Sequence, residues 1–156
     1  MEARRAWARA LAVTGIVVAL DQVAKQIAIT HVTRTDPAEV IFGFKISNVR
    51  NDGIAFGMLG GASDAVVIAL TLAALGLLVG YFALNATRPE LWLSVGLVVG
   101  GALGNLADRA RIGAAIDFLD PPMWPAFNLS DIAIVMGVGL LVLAILSPEA
   151  HGDAAA

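Results

Sequence analysis

The residues equipped for chemistry in this sequence are few, and they stand out because their surroundings are apolar. They are Asp21 and Lys25, then Asn105, Asp108 and Arg109, then Asp117, then Asn128 and Asp131. A charge near a bilayer midplane costs at least about 2.5–3.5 kcal/mol, so each ionisable group in an apolar segment is a functional candidate. Elimination narrows the chemistry. There is no cysteine, which excludes disulfides, thiolate nucleophiles and thiolate-bound metals. The two histidines, His31 and His151, lie far apart, and no His-Glu-x-x-His occurs, so a zinc hydrolase is not expected. No Gly-x-Ser-x-Gly occurs, and Ser63, Ser94 and Ser147 lack a histidine partner. What remains is a carboxylate pair. Two aspartates brought close cannot both ionise cheaply, so one pKa rises and the other falls. Such a pair can activate water and protonate a leaving amine, which hydrolyses a peptide bond without a cofactor or a metal.

The elements that must position these groups follow from composition. Of 156 residues, 58% are hydrophobic and 15% charged. Soluble domains run at about 45–50% and about 25%. Mean hydropathy is +0.80. An ordinary soluble enzyme and a disordered chain are excluded, and a single polytopic membrane domain is expected. The formal net charge of −3, with no basic patch, argues against nucleic acid as a partner.

About 20 apolar residues span about 30 Å of hydrocarbon as a helix. Four stretches qualify, at about 7–29, 65–84, 91–107 and 127–146. The first resembles a cleaved secretory signal in having Arg4, Arg5 and Arg9 before Ala10 to Leu20. Asp21-Gln22-Val23-Ala24-Lys25 follows with no small-residue cleavage site, so a retained first helix is expected. Four helices put both termini on one side, and the three arginines favour the cytoplasmic side. Arg34, Lys45, Arg50, Arg109 and Arg111 would then fall outside, so this orientation rests on the first helix alone.

Between the first two helices, about residues 31–64 read as a small extracytoplasmic β region on the membrane surface. Val40, Phe42, Phe44 and Ile46 alternate with Ile41, Gly43, Lys45 and Ser47, the period-two pattern of one strand. Asn51-Asp52-Gly53 gives a turn signal. The stretch 54–60 is either strand or short helix. Residues 114–126, with Pro121, Pro122 and Pro125, form a second outer loop that carries Asp117. The tail, about 148–156, is expected to be frayed. Trp7, Trp92 and Trp124 fall near helix ends, as interfacial anchors do. With the amino terminus inside, all the candidate polar residues map to one level near the outer interface. Each also has a plainer reading. Asp21 and Lys25, spaced i,i+4, can simply pair. Asp108 and Arg109 can be a helix-end charge and a snorkelling arginine. Asn128 and Asp131 can cap the fourth helix.

Five ordered motifs resemble those of the bacterial lipoprotein signal peptidases (signal peptidase II). Asp21-Gln22-Val23-Ala24-Lys25 looks like the family's Asp-Gln-x-x-Lys. Asn51-Asp52-Gly53-Ile54-Ala55-Phe56-Gly57 looks like Asn-Thr-Gly-Ala-Ala-Phe-Gly. Gly100-Gly101-Ala102-Leu103-Gly104-Asn105-Leu106-Ala107-Asp108-Arg109 looks like Gly-Gly-x-x-Gly-Asn-x-x-Asp-Arg. Ile116-Asp117-Phe118 resembles Val-Asp-Phe, and Phe127-Asn128-Leu129-Ser130-Asp131-Ile132-Ala133-Ile134 resembles Phe-Asn-x-Ala-Asp-x-x-Ile. Asp52, Ile54 and Ser130 depart from the pattern, which touches the rim of the site and not the aspartates.

The resemblance implies a mainly α, four-helix membrane aspartyl endopeptidase with a small β-cradle. Such enzymes remove the signal peptide from diacylglyceryl-modified prolipoproteins, cutting before the lipidated cysteine, and are targets of globomycin. It implies a catalytic pair at Asp117 and Asp131. It implies substrate-binding positions at Asp21, Lys25, Asn51, Gly53, Asn105, Asp108, Arg109 and Asn128. It further implies a monomer in the bacterial cytoplasmic membrane, with the site at the extracytoplasmic face, membrane lipid around it, and neither cofactor nor metal. A small transporter or channel subunit would need polar residues through the inner half as well, and Ala65–Leu84 and Ile132–Leu146 offer almost none. An inactive scaffold with the same fold is the third possibility.

Overall fold

The computed structural model describes residues 1–52 and 64–147. Seven elements follow in order: α1 (Glu2–His31), β1 (Ala38–Ile41), β2 (Phe44–Asn51), α2 (Asp64–Leu84), α3 (Leu91–Ile112), β3 (Ala115–Asp120) and α4 (Leu129–Leu146). Among the described residues four helices are long and apolar enough to cross a membrane. The strands form one antiparallel sheet in the order β1-β2-β3. Gly53, the 54–60 stretch and the 148–156 tail lie outside the described residues.

α3 sits between α1 and α4 and touches both closely through small residues. A Cβ on Gly96 would lie 2.8 Å from Val13 Cβ, and one on Gly100 2.8 Å from Val17 Cβ. On the α4 side, Gly137 lets that helix approach Ser94 and Val98 of α3. Lipid tails are as apolar as leucine, so close backbone approach at small residues is what holds membrane helices together. At the end away from the sheet the packing is apolar. Ala6, Ala10, Phe82, Leu91, Val95 and Ala144 are buried together, and the Trp7 and Phe82 rings lie 4.6 Å apart. The outward faces carry exposed leucines and valines, such as Leu77 and Leu143, as lipid-facing surfaces do.

Three expectations change. The alternating stretch 40–46 is not one strand but a hairpin. Phe42 (φ 49°) and Gly43 (φ 78°) form a two-residue loop with both φ positive, the turn that matches strand twist. The outer loop around Asp117 is partly strand: β3 pairs with β2, with Val49 opposite Asp117 and Asn51 opposite Ala115. α3 runs past residue 107 to Ile112 because its last-turn charges find partners, and it ends at Gly113, left-handed at φ 73°, whose N–H bonds Arg109 O at 2.9 Å.

Candidate active site

The two aspartates reach each other by backbone design. β3 is held beside the start of α4 because Phe127 N donates to Leu119 O and Leu119 N to Phe127 O, both at 2.9 Å. The prolines at 121, 122 and 125 lie in the turn between, where missing N–H groups cost nothing to a ladder. Asp117 is thereby presented from a strand and Asp131 from the third position of α4. Asn128 is the hinge of the arrangement. Its Oδ1 accepts from Asp131 N at 2.9 Å and its own N–H donates to Asp131 Oδ2 at 3.2 Å, a reciprocal capping box. Its Nδ2 donates to Asp117 Oδ1 at 2.7 Å. The helix cap and the aspartate scaffold are the same residue.

Two more asparagines complete the acceptor side. Asn51 Nδ2 donates to Asp117 Oδ2 at 2.9 Å, a diagonal contact across β2 and β3. Asn105 Nδ2 donates to Asp131 Oδ1 at 2.9 Å. These three amides hold the acids themselves. Asp117 is 1% exposed. Burial pushes its carboxyl up to about 6, with the negative charge of Asp131 adding to the rise and the Asn51 and Asn128 donors opposing it. Asp117 and Asp131 both line a cavity of about 190 Å³, together with Asn51, Thr71, Asn105 and Arg109.

Behind this pair lies a buried ionic layer. Lys25 is 1% exposed and spends its three donors on Asp21 Oδ2 at 2.8 Å, Asp108 Oδ2 at 2.6 Å and Asn105 Oδ1 at 2.9 Å. Asp21 Oδ1 accepts from Ser130 N at 2.9 Å, which ties α1 to α4. Asp108 Oδ2 also accepts from Ile116 N at 3.3 Å, which ties α3 to β3. The plain ion pair of Asp21 with Lys25 is therefore present, and Lys25 goes on to orient Asn105, whose amide holds Asp131. Removing one partner of a buried pair costs about 3–5 kcal/mol, so this layer is fixed.

Asp108 takes its charge partners from Lys25 and Arg111, while Arg109 lines the cavity. Two participants were not among the sequence candidates. Arg111 Nη2 bonds Asp108 Oδ1 at 2.7 Å and Gln22 Oε1 at 2.6 Å, and Gln22 Nε2 reaches Asp108 Oδ1 at 3.2 Å and Gly104 O at 3.1 Å. The i,i+3 spacing of Asp108 and Arg111 on one helix was the available signal for the first. The Gln of the Asp-Gln-x-x-Lys resemblance was the available signal for the second. Among the described residues no cluster of three or more His, Asp or Glu side chains could hold a metal ion.

Comparisons with known proteins bear on the family and the fold. The family profile described as Signal peptidase (SPase) II matches residues 13–147. The lipoprotein signal peptidase of Moorella thermoacetica is 42% identical over 134 residues, covering 85% of this chain and 89% of that one. That of Pelotomaculum thermopropionicum is 47% identical over 104 residues, covering 67% and 68%. Two solved structures of bacterial membrane enzymes superpose with TM-scores of 0.83 and 0.74 at 31% and 32% identity, covering 94% and 88% of this chain and 93% and 92% of theirs. With a matching profile over most of its length, close relatives of one activity and a shared membrane fold, the chain belongs to the signal peptidase II family.

Proposed function

We propose that this protein is a membrane aspartic endopeptidase that cleaves the signal peptide from lipid-modified prolipoproteins, with Asp117 and Asp131 as its catalytic pair. The observation that carries the reading is the convergence of both acids on Asn128 at the wall of one cavity. One carboxylate takes a proton from water as it attacks the scissile carbonyl, and the other carboxyl gives a proton to the leaving amine of the lipidated cysteine. The products are a free signal peptide and a new amino terminus. Asp21, Lys25, Asp108 and the three asparagines position the acids, and Arg109 faces the substrate in the cavity.

The surroundings support a lipidated substrate. An apolar cavity of about 260 Å³, lined by Trp124, Phe127, Ile132, Val135 and Met136, opens beside Asp131. It suits an acyl chain lying against α4 while the peptide enters at the sheet. Phe42 at the hairpin tip and Met123 beyond β3 are 92% and 95% exposed, and Gly43 lies against Pro122, so these apolar groups share one rim. That rim fits a sheet resting on headgroups. We further propose one integral domain, acting as a monomer in the bacterial cytoplasmic membrane with its site outside. The purified enzyme is expected to cut a diacylglyceryl-modified precursor just before the modified cysteine, to leave the unmodified precursor intact, and to be blocked by globomycin. Mass spectrometry of the products checks this; cleavage at another bond, or equal cleavage of both precursors, contradicts it.

A further inference from the structure

A second polar site lies at the opposite end of the bundle. α1 begins there, and α2 turns into α3 there through residues 85–90. Between them is a cavity of about 300 Å³ lined by Glu2, Arg5, Arg9, Thr87, Pro89 and Trp92. Neither Arg5 nor Arg9 has a carboxylate partner among the described residues. Arg9 lies over the Trp92 ring, 5.6 Å from its centroid. That contact engages no N–H donor in an ion pair, so the guanidinium's donors are left to bind an anion.

Depth identifies the anion. α1 has 30 residues and is about 45 Å long, while the hydrocarbon core is about 30 Å thick. Arg4, Arg5 and Arg9 precede the apolar run that starts at Ala10, which assigns these first turns to the level of the lipid phosphates. Deeper along the same elements, Leu11 and Leu84 are 64% and 89% exposed, a surface for acyl chains. Glu2 offsets one of the two cationic charges, which matches a singly charged phosphodiester better than a dianion. We infer that Arg5, Arg9 and Trp92 form a binding site for the phosphodiester headgroup of an anionic phospholipid, in the leaflet away from the sheet and independent of the peptidase cavity.

The test uses the full chain with Trp92 as sole tryptophan (Trp7→Phe, Trp124→Phe) in phosphatidylcholine vesicles. Trp92 fluorescence is quenched by increasing fractions of acyl-brominated phosphatidylglycerol or acyl-brominated phosphatidylcholine. Phosphatidylglycerol is expected to quench at a more than tenfold lower fraction, with each arginine worth roughly fivefold. Arg5→Gln/Arg9→Gln is expected to abolish the preference. Arg4→Gln, on the same turn but outside the cavity, is expected to change it less than twofold. Equal quenching by the two lipids in the parent protein overturns the inference. So does loss of the preference in Arg4→Gln, which would make it general surface charge. Displacement by inorganic phosphate, against chloride at equal ionic strength, would assign the site to a soluble anion and overturn it too.

Discussion

Asp117 stands in strand β3 with almost no exposure, and its carboxyl is pushed up to about 6 from 3.8. Ionising it therefore costs the folded state. The cost is absent below about pH 4, grows as pH rises, and is complete above about 6. The melting temperature of the wild type relative to Asp117→Asn is accordingly expected to fall as pH is raised from about 4 to about 7; a constant gap would contradict the raised value. At this scale the sequence was most legible. Charged residues in apolar stretches announce themselves, so Asp21, Lys25, Asp108 and Asp131 could be singled out by cost alone. Gln22 and Arg111 could not, because a neutral amide and a surface arginine carry no such cost until the fold sets them against Asp108. The cap of α4 and the hydrogen bond to Asp117 are made by the one side chain of Asn128.

At the level of elements, the site depends on how near α3 lies to α1 and α4. A Cβ at Gly104 would collide with Ser130 Oγ and come 2.7 Å from Asp21 Oδ2. Gly104→Ala is expected to cost about 1–3 kcal/mol and to lower cleavage, since it pushes α3 away from α1 and from α4, which carries Asp131. Gly139→Ala, with nothing within 4 Å of the added carbon, is expected to leave both unchanged. Thermal unfolding and turnover of the two variants side by side check the pair; equal effects would contradict it. The four spans were visible because apolar runs of membrane length have no other use. The sheet was only half visible. Phe42-Gly43 lacks the Asn-Gly or Asp-Gly signature of a tight hairpin, so the alternation ran unbroken through the turn. β3 was hidden because it pairs with β2 across both α2 and α3, and the prolines after it read as loop.

For the whole molecule, polar groups gather at the sheet end and apolar packing at the other, with the basic turn of α1 beyond it. Orientation follows as a prediction. Because the chain has no cysteine, single introduced cysteines report sidedness. In intact spheroplasts an impermeant maleimide is expected to label Met123→Cys and to miss Thr87→Cys; the reverse pattern would invert the topology. The proposed orientation sets water and lipid at one level, which is what hydrolysis of a lipidated peptide requires. In the proposed mechanism Asp117 and Asp131 share the chemistry. The direct measurement is the single-turnover cleavage rate of a diacylglyceryl-modified precursor by wild type, Asp117→Asn and Asp131→Asn, each purified in lipid with helicity verified. The rate is predicted to fall by about 10²–10⁴ or more in each variant. Wild-type turnover by either one would contradict the account.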